Sequence, residues 1–150
     1  MKDLEKYSIL PTDQMVNNIK DCNTTDEIVE ILDGHDCSEI SLSDYLNYLL
    51  EVKNLKRSQI VRDAHLDATF GYQIFKGSRG CSRDKLMSLA FAMNCNLQET
   101  NRMLKLAGYR ELYLKNKRDT VISFCIKSGK TLPETDYELY RFGQETISDD

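Results

Sequence analysis

The stretch that decides the fold runs from Leu55 to Leu86, LKRSQIVRDAHLDATFGYQIFKGSRGCSRDKL. Its apolar residues fall where two short helices joined by a tight turn need them. Ile60, Val61 and Ala64 form the inner face of the first helix, and Leu66 plugs the turn that follows. Asp67 caps the second helix, since a short side-chain oxygen there accepts from an orphan amide of the first turn. Phe70 and Ile74 lie four residues apart and so share a face of that helix. Lys76-Gly77 places a cation against the helix C-terminal dipole and then a glycine stop. A helix-turn-helix of this kind commonly presents its second helix to a DNA groove.

Toward the N-terminus, Ser41 caps a helix in which Leu42, Tyr45, Leu46, Leu49 and Leu50 follow the spacing of a buried stripe. This helix is expected beneath the helix-turn-helix. Two shorter helices are expected before it. One spans Thr12 to Asp21, with Met15, Val16 and Ile19 on one side. The other opens with the capping-box pair Thr24 and Glu27 and ends at Gly34. Toward the C-terminus, Ser82 caps a helix carrying Leu86, Leu89, Ala90 and Met93 on one face. Asn96 and Glu99 form a second capping box, opening a helix with Leu97, Thr100, Met103, Leu104 and Ala107 inward and Gly108 as its stop.

Beyond Gly108 the chain repeats itself at an offset of 35 residues without gaps. Arg83-Asp84 recurs as Arg118-Asp119, Ser88 as Ser123, Leu97 as Leu132, Glu99-Thr100 as Glu134-Thr135, Leu104 as Leu139 and Gly108 as Gly143. Apolar Leu86, Met87 and Leu89 recur as Val121, Ile122 and Phe124. Thr131 and Glu134 therefore form another capping box. The pattern predicts a second helical hairpin of the same design stacked on the first.

With 150 residues, 41% of them apolar, the chain buries one sizeable core. Two prolines, seven glycines and no sustained polar–apolar alternation predict an all-α protein. The expected segments are an acidic N-terminal helical pair at 1–40, a helix-turn-helix domain at 41–110 and the repeated αα-hairpin at 111–150. Net charge is −4, but it is segregated: −7 over residues 1–41, +7 over 42–118 and −4 over 119–150. The central excess is what a nucleic-acid footprint needs. No apolar run approaches the ~20 residues of a membrane helix. MKDLEKYSIL mixes both charges and lacks the pattern of a secretory signal. Five cysteines, an odd number with no CxxC pair, predict reduced thiols and a cytoplasmic location.

From Leu42 to Tyr109 the order and spacing of helices resemble the Cro/C1-type (XRE) helix-turn-helix family. That family's turn reads Ala-x-x-x-Gly-Val-Ser, and Val61-Arg-Asp-Ala64-His65-Leu66-Asp67 occupies its place. Its recognition helix ends in a basic residue and glycine, matched by Lys76-Gly77, and its following Pro-Ser-x-x-x-Leu resembles Cys81-Ser82-Arg-Asp-Lys-Leu86. Three positions differ. His65 replaces the turn glycine, and Arg57 replaces a phosphate-holding glutamine. Gly71 stands where a branched apolar residue is usual, at a cost of ~1 kcal/mol in helix propensity. Either Phe70 and Phe75 refill the space, or the helix bends so that another backbone approaches.

The resemblance implies a five-helix core and a sequence-specific DNA-binding regulator of transcription, with Arg57, Thr69, Tyr72, Gln73, Lys76 and Arg79 toward DNA. Gln73 has the amide that reads adenine, and Arg57, Lys76 and Arg79 suit phosphates. The alternative is a protein-interaction module on a derived helical fold, because Phe70, Tyr72 and Phe75 are dense aromatics for a groove-facing helix. A homodimer or a protein partner would use the C-terminal hairpin or exposed aromatics; Tyr137, Tyr140 and Phe142 read first as hairpin packing. His35 and Cys37 have no matching pair at metal-ligand spacing, and no catalytic constellation is evident. The sequence thus predicts no enzyme, cofactor or metal.

Overall fold

The computed structural model describes residues 40–148, together with Lys20. The chain divides after Ile40 into two compact units, and residues 41–148 lie in the second. The helices expected at 12–21 and 24–34, the acidic 1–40 segment, His35 and Cys37 lie outside the described residues.

Seven helices and no strand occur among the described residues. They are α1 (Leu42–Val52), α2 (Arg57–Asp63), α3 (Ala68–Lys76), α4 (Arg83–Ala92), α5 (Leu97–Leu106), α6 (Lys117–Lys127) and α7 (Leu132–Arg141). Each expected cap in this range is made. Ser41 accepts from the Asp44 amide, Asp67 from Phe70 and Ser82 from Lys85. Asn96 with Glu99 and Thr131 with Glu134 are complete capping boxes. The cap of α6 falls one residue earlier than the 35-residue repeat places it. Lys117 stands at the position of Ser82 and has no acceptor, so Asn116 accepts from the Asp119 amide instead.

The first five helices share one core. Helix α1 packs on α3 and α5, α2 on α3 and α4, and α4 on α5. Leu46, Leu49, Ile74, Phe75, Leu86 and Leu89 are buried between them. The face of α3 that enters this core is Gly71, Ile74 and Phe75, whereas Phe70 is half-buried. Phe70 and Phe75 compete for the interior because Ile74 lies near both. Phe75 wins, and the Phe70 ring is left at the edge beneath Arg79 and Lys85.

Gly71 faces the side chain of Val61 on α2, whose atoms are the three nearest to the place a Cβ would take. A Cβ on Gly71 would fall 2.6 Å from Val61 Cγ2 and closer still to Cγ1. Relative to the pattern of the family that the sequence resembles, the two positions have exchanged bulk, with valine where that pattern has alanine and glycine where it has a branched residue. The turn between α2 and α3 holds its left-handed residue without glycine: His65 has φ +59°. Three hydrogen-bonding side chains fix the ends of α3. Asp67 caps its start, while Ser43 and Asn47 of α1 donate to the Phe75 carbonyl at 2.9 and 2.8 Å. Gly77, at φ +85°, then lets the chain leave beside Ser43.

The 35-residue repeat is also a repeat of interactions. Asn101 accepts from the Leu112 amide at 2.9 Å, and Asp136 accepts from the Ile147 amide at 2.6 Å. Arg83 donates to the carbonyls of Arg110 and Glu111, and Arg118 to those of Glu145 and Thr146. The repeated Arg-Asp pairs then cross. Arg83 grips Asp119 with two bonds of 3.1 Å, and Arg118 reaches Asp84 at 3.0 Å. Helix α4 packs on α7 and α5 on α6, which is the same reciprocity between elements. The hairpins α4–α5 and α6–α7 thus meet about a local pseudo-twofold, as two subunits do in an isologous dimer.

The two ion pairs differ in burial. The Asp119 side chain is 2% exposed and that of Asp84 is 40% exposed. Burial is the largest single influence on the Asp119 carboxyl and pushes it up. The Arg83 hydrogen bonds, the Tyr113 amide and the charges of Arg83 and Arg110 together outweigh it, holding the group below the ordinary carboxylate range.

Gly71→Ala should destabilise by about 1–2 kcal/mol, because the overpacking penalty exceeds the gain in helix propensity. In a Val61→Ala background the same change should stabilise by up to ~1 kcal/mol; urea titration of the four proteins reads this reversal of sign. Asp119→Asn should cost about 2–3 kcal/mol by stranding Arg83, and Asp84→Asn less than about 1 kcal/mol. A carboxyl lowered on folding stabilises above its unfolded pKa and loses that contribution as pH falls through its folded value. Wild-type stability should therefore drop more steeply than that of Asp119→Asn below about pH 5, as melts between pH 3 and 7 would report.

Candidate nucleic-acid interface

With Gly71, Ile74 and Phe75 turned inward, helical periodicity turns Thr69, Tyr72, Gln73 and Lys76 outward together. Thr69, Tyr72 and Lys76 are exposed, Tyr72 by 46%, and Gln73 is half-buried. All six residues expected to face DNA lie on or beside this surface. Arg57, at the start of α2, sets its guanidinium 4.7 Å from the centre of the Tyr72 ring, and Lys76 Nζ is 5.9 Å from the same ring. Arg79 follows the Gly77 stop. Its Nη1 lies 3.4 Å from Gln73 Oε1, and its guanidinium is 4.7 Å from the Phe70 ring.

The result is two clusters in which cations lie over aromatic rings, one at Tyr72 and one at Phe70. An aromatic face holds a guanidinium or ammonium in place without neutralising it, so the charge stays available to an anion. Among the described residues, Arg57, Lys76 and Arg79 make no ion pair with a carboxylate. Gln73 spends its carbonyl oxygen on Arg79 and keeps its amide donor, and a bidentate contact to adenine would require Arg79 to release that oxygen.

Sequence reasoning missed Lys85 and Phe70 as members of this surface. Lys85 Nζ is 4.5 Å from the Phe70 ring, placed there by the Ser82 cap. The available signal was the one-residue ambiguity in which aromatic of α3 faces inward. It also missed what steadies the far end of α3, the donors Ser43 and Asn47, because they lie about thirty residues away in the chain.

Cys95 and Cys125 are interior residues. Burial, with the charge of Glu99, pushes the Cys95 thiol up to about 12. It is a neutral packing group beside the Met103 sulfur at 3.9 Å. No cluster of metal-binding side chains occurs among the described residues, and no described helix is long and apolar enough to cross a membrane. Comparisons with protein-family models, curated proteins and solved structures find no match.

Proposed function

We propose that this protein is a sequence-specific DNA-binding regulator of transcription, built on a Cro/C1-like helix-turn-helix in which α3 is the recognition helix. The observation that carries the reading is the outward row Thr69, Tyr72, Gln73 and Lys76, flanked by Arg57 and Arg79, to neither of which a carboxylate is paired among the described residues. In this reading Arg57, Lys76 and Arg79 hold phosphates and fix the register. Gln73 and Thr69 meet base edges, and Tyr72 packs its ring against Arg57 and the sugar-phosphate wall. The excess of cations over residues 42–118 supplies the non-specific attraction.

A protein-interaction module on the same helices is the second reading, favoured by the exposed rings of Tyr72, Tyr137 and Tyr140. Salt separates the two. Phosphate contacts release counterions, so affinity for DNA should fall steeply between 50 and 200 mM salt, while an aromatic protein interface should change little. Gel shifts with the DNA upstream of the gene provide the measurement. Gln73→Ala should relax preference at one base position by ~1–3 kcal/mol, whereas Lys76→Ala should weaken all sequences alike and reduce the salt slope by about one. Equal, sequence-independent losses from both variants would reject the assignment of Gln73 to a base.

A further inference from the structure

The pseudo-symmetry of the two hairpins exposes a face that has a covered counterpart. Leu89 of α4 and Met103 of α5 are fully buried, and their repeat equivalents are Phe124 and Glu138. Phe124 is 61% exposed. The interactions within and between the hairpins are reciprocal, so among the described residues only α1–α3 have no counterpart on the second hairpin. Helices α1 and α2 pack on α5 and α4, and the matching face of α7 and α6 is an open groove of about 660 Å³. Its apolar surface comes from Leu114, Val121, Phe124 and Phe142, and three of these are large and exposed.

The edges of the groove carry its chemical preference. Lys115, Lys117, Lys130 and Arg141 line it, against one carboxylate, Glu138. Arg141 already pairs with Glu138 at 3.0 Å. Among the described residues, Lys115, Lys117 and Lys130 have no ion-pair partner. At the positions of Lys115, Lys117, Lys130 and Arg141 the first hairpin has Gly80, Ser82, Cys95 and Leu106, so at these four positions the second face carries cations that the first lacks, while the cations Arg79 and Lys85 of the first stand at Leu114 and Thr120.

We propose that this groove docks an acidic amphipathic helix of a partner protein, its apolar stripe on Phe124, Val121 and Phe142 and its carboxylates on Lys115, Lys117 and Lys130. A helix is the element that fits, because helices cover the equivalent face of the first hairpin. Acidic residues complement the rim, whereas a second copy of the same face would set lysines against lysines. The proposal goes beyond the DNA reading and stands without it.

The test is fluorescence anisotropy on the full chain with two labelled, stapled 14-residue helices. Both carry leucine at i, i+3, i+4 and i+7, with glutamate at the other positions in one and lysine in the other. The acidic helix should bind and the basic one should not. Phe124→Glu, and separately Lys117→Glu with Lys130→Glu, should each weaken binding at least tenfold with unchanged thermal melts, while Tyr72→Ala should leave it unaltered. Equal binding of both helices, no binding of either, or indifference to Phe124→Glu overturns the proposal. A wild-type dimer that Phe124→Glu converts to monomer in sedimentation assigns the groove to a second copy instead. Displacement of the helix by equimolar duplex DNA, retained in Tyr72→Ala, assigns it to a polyanion.

Discussion

Helix α3 can lie against α2 because Gly71 offers no side chain where Val61 presents two methyl groups. Packed interiors tolerate little change in volume, so the bulk of one position fixes what the facing position can hold. Here the valine sits on α2 and the void sits on α3. The glycine weakens α3 as an isolated helix, and its tertiary contacts offset that cost: the Asp67 cap, burial of Ile74 and Phe75, and the two α1 donors on the Phe75 carbonyl. With that inner face fixed, the outward row Thr69, Tyr72, Gln73 and Lys76 has its direction set by helical geometry alone. The candidate interface is thus a consequence of a core contact on the opposite side of the helix.

The second half of the unit obeys a different constraint. Its two hairpins are joined by charge as well as by apolar packing, and the Arg83–Asp119 pair is largely desolvated. Desolvating a carboxylate is costly, and Asp119 meets that cost with two guanidinium bonds and the Tyr113 amide. The crossed arrangement favours one relative placement of the hairpins, since a shift along either helix would break both pairs at once. The pseudo-twofold leaves the outer face of the second hairpin open, and that face carries lysines around its apolar floor.

Much of the fold was legible in the sequence because its signals are local. Ser41, Asp67, Ser82, Asn96-Glu99 and Thr131-Glu134 announce helix starts through side chains that reach only three residues ahead. The offset of 35 residues showed a second hairpin, and matched Arg83-Asp84 with Arg118-Asp119. It did not show that these residues pair crosswise, because sequence similarity carries no information on how two copies are docked. On the inward face of α3, Ile74 is buried as expected, but Phe75 and Gly71 join it where Phe70 was expected, since Phe70 and Phe75 flank Ile74 equally well and a glycine is invisible to a pattern of apolar bulk. The six residues of the candidate site came from the resemblance alone, and they lie on or beside one surface. Their mutual contacts, with Arg57 over Tyr72 and Arg79 on Gln73, depend on distances between elements and were not.

We propose that α3 and the start of α2 form the surface that meets DNA. Amide chemical shifts of the isotope-labelled full chain, followed during titration with a duplex carrying its binding sequence, test it most directly. The large changes should gather at Arg57, Thr69, Tyr72, Gln73, Lys76 and Arg79 while Val121, Phe124 and Tyr140 stay still. Changes centred on α6 and α7 with α3 unmoved, or no change at any residue at 50 mM salt, would contradict it.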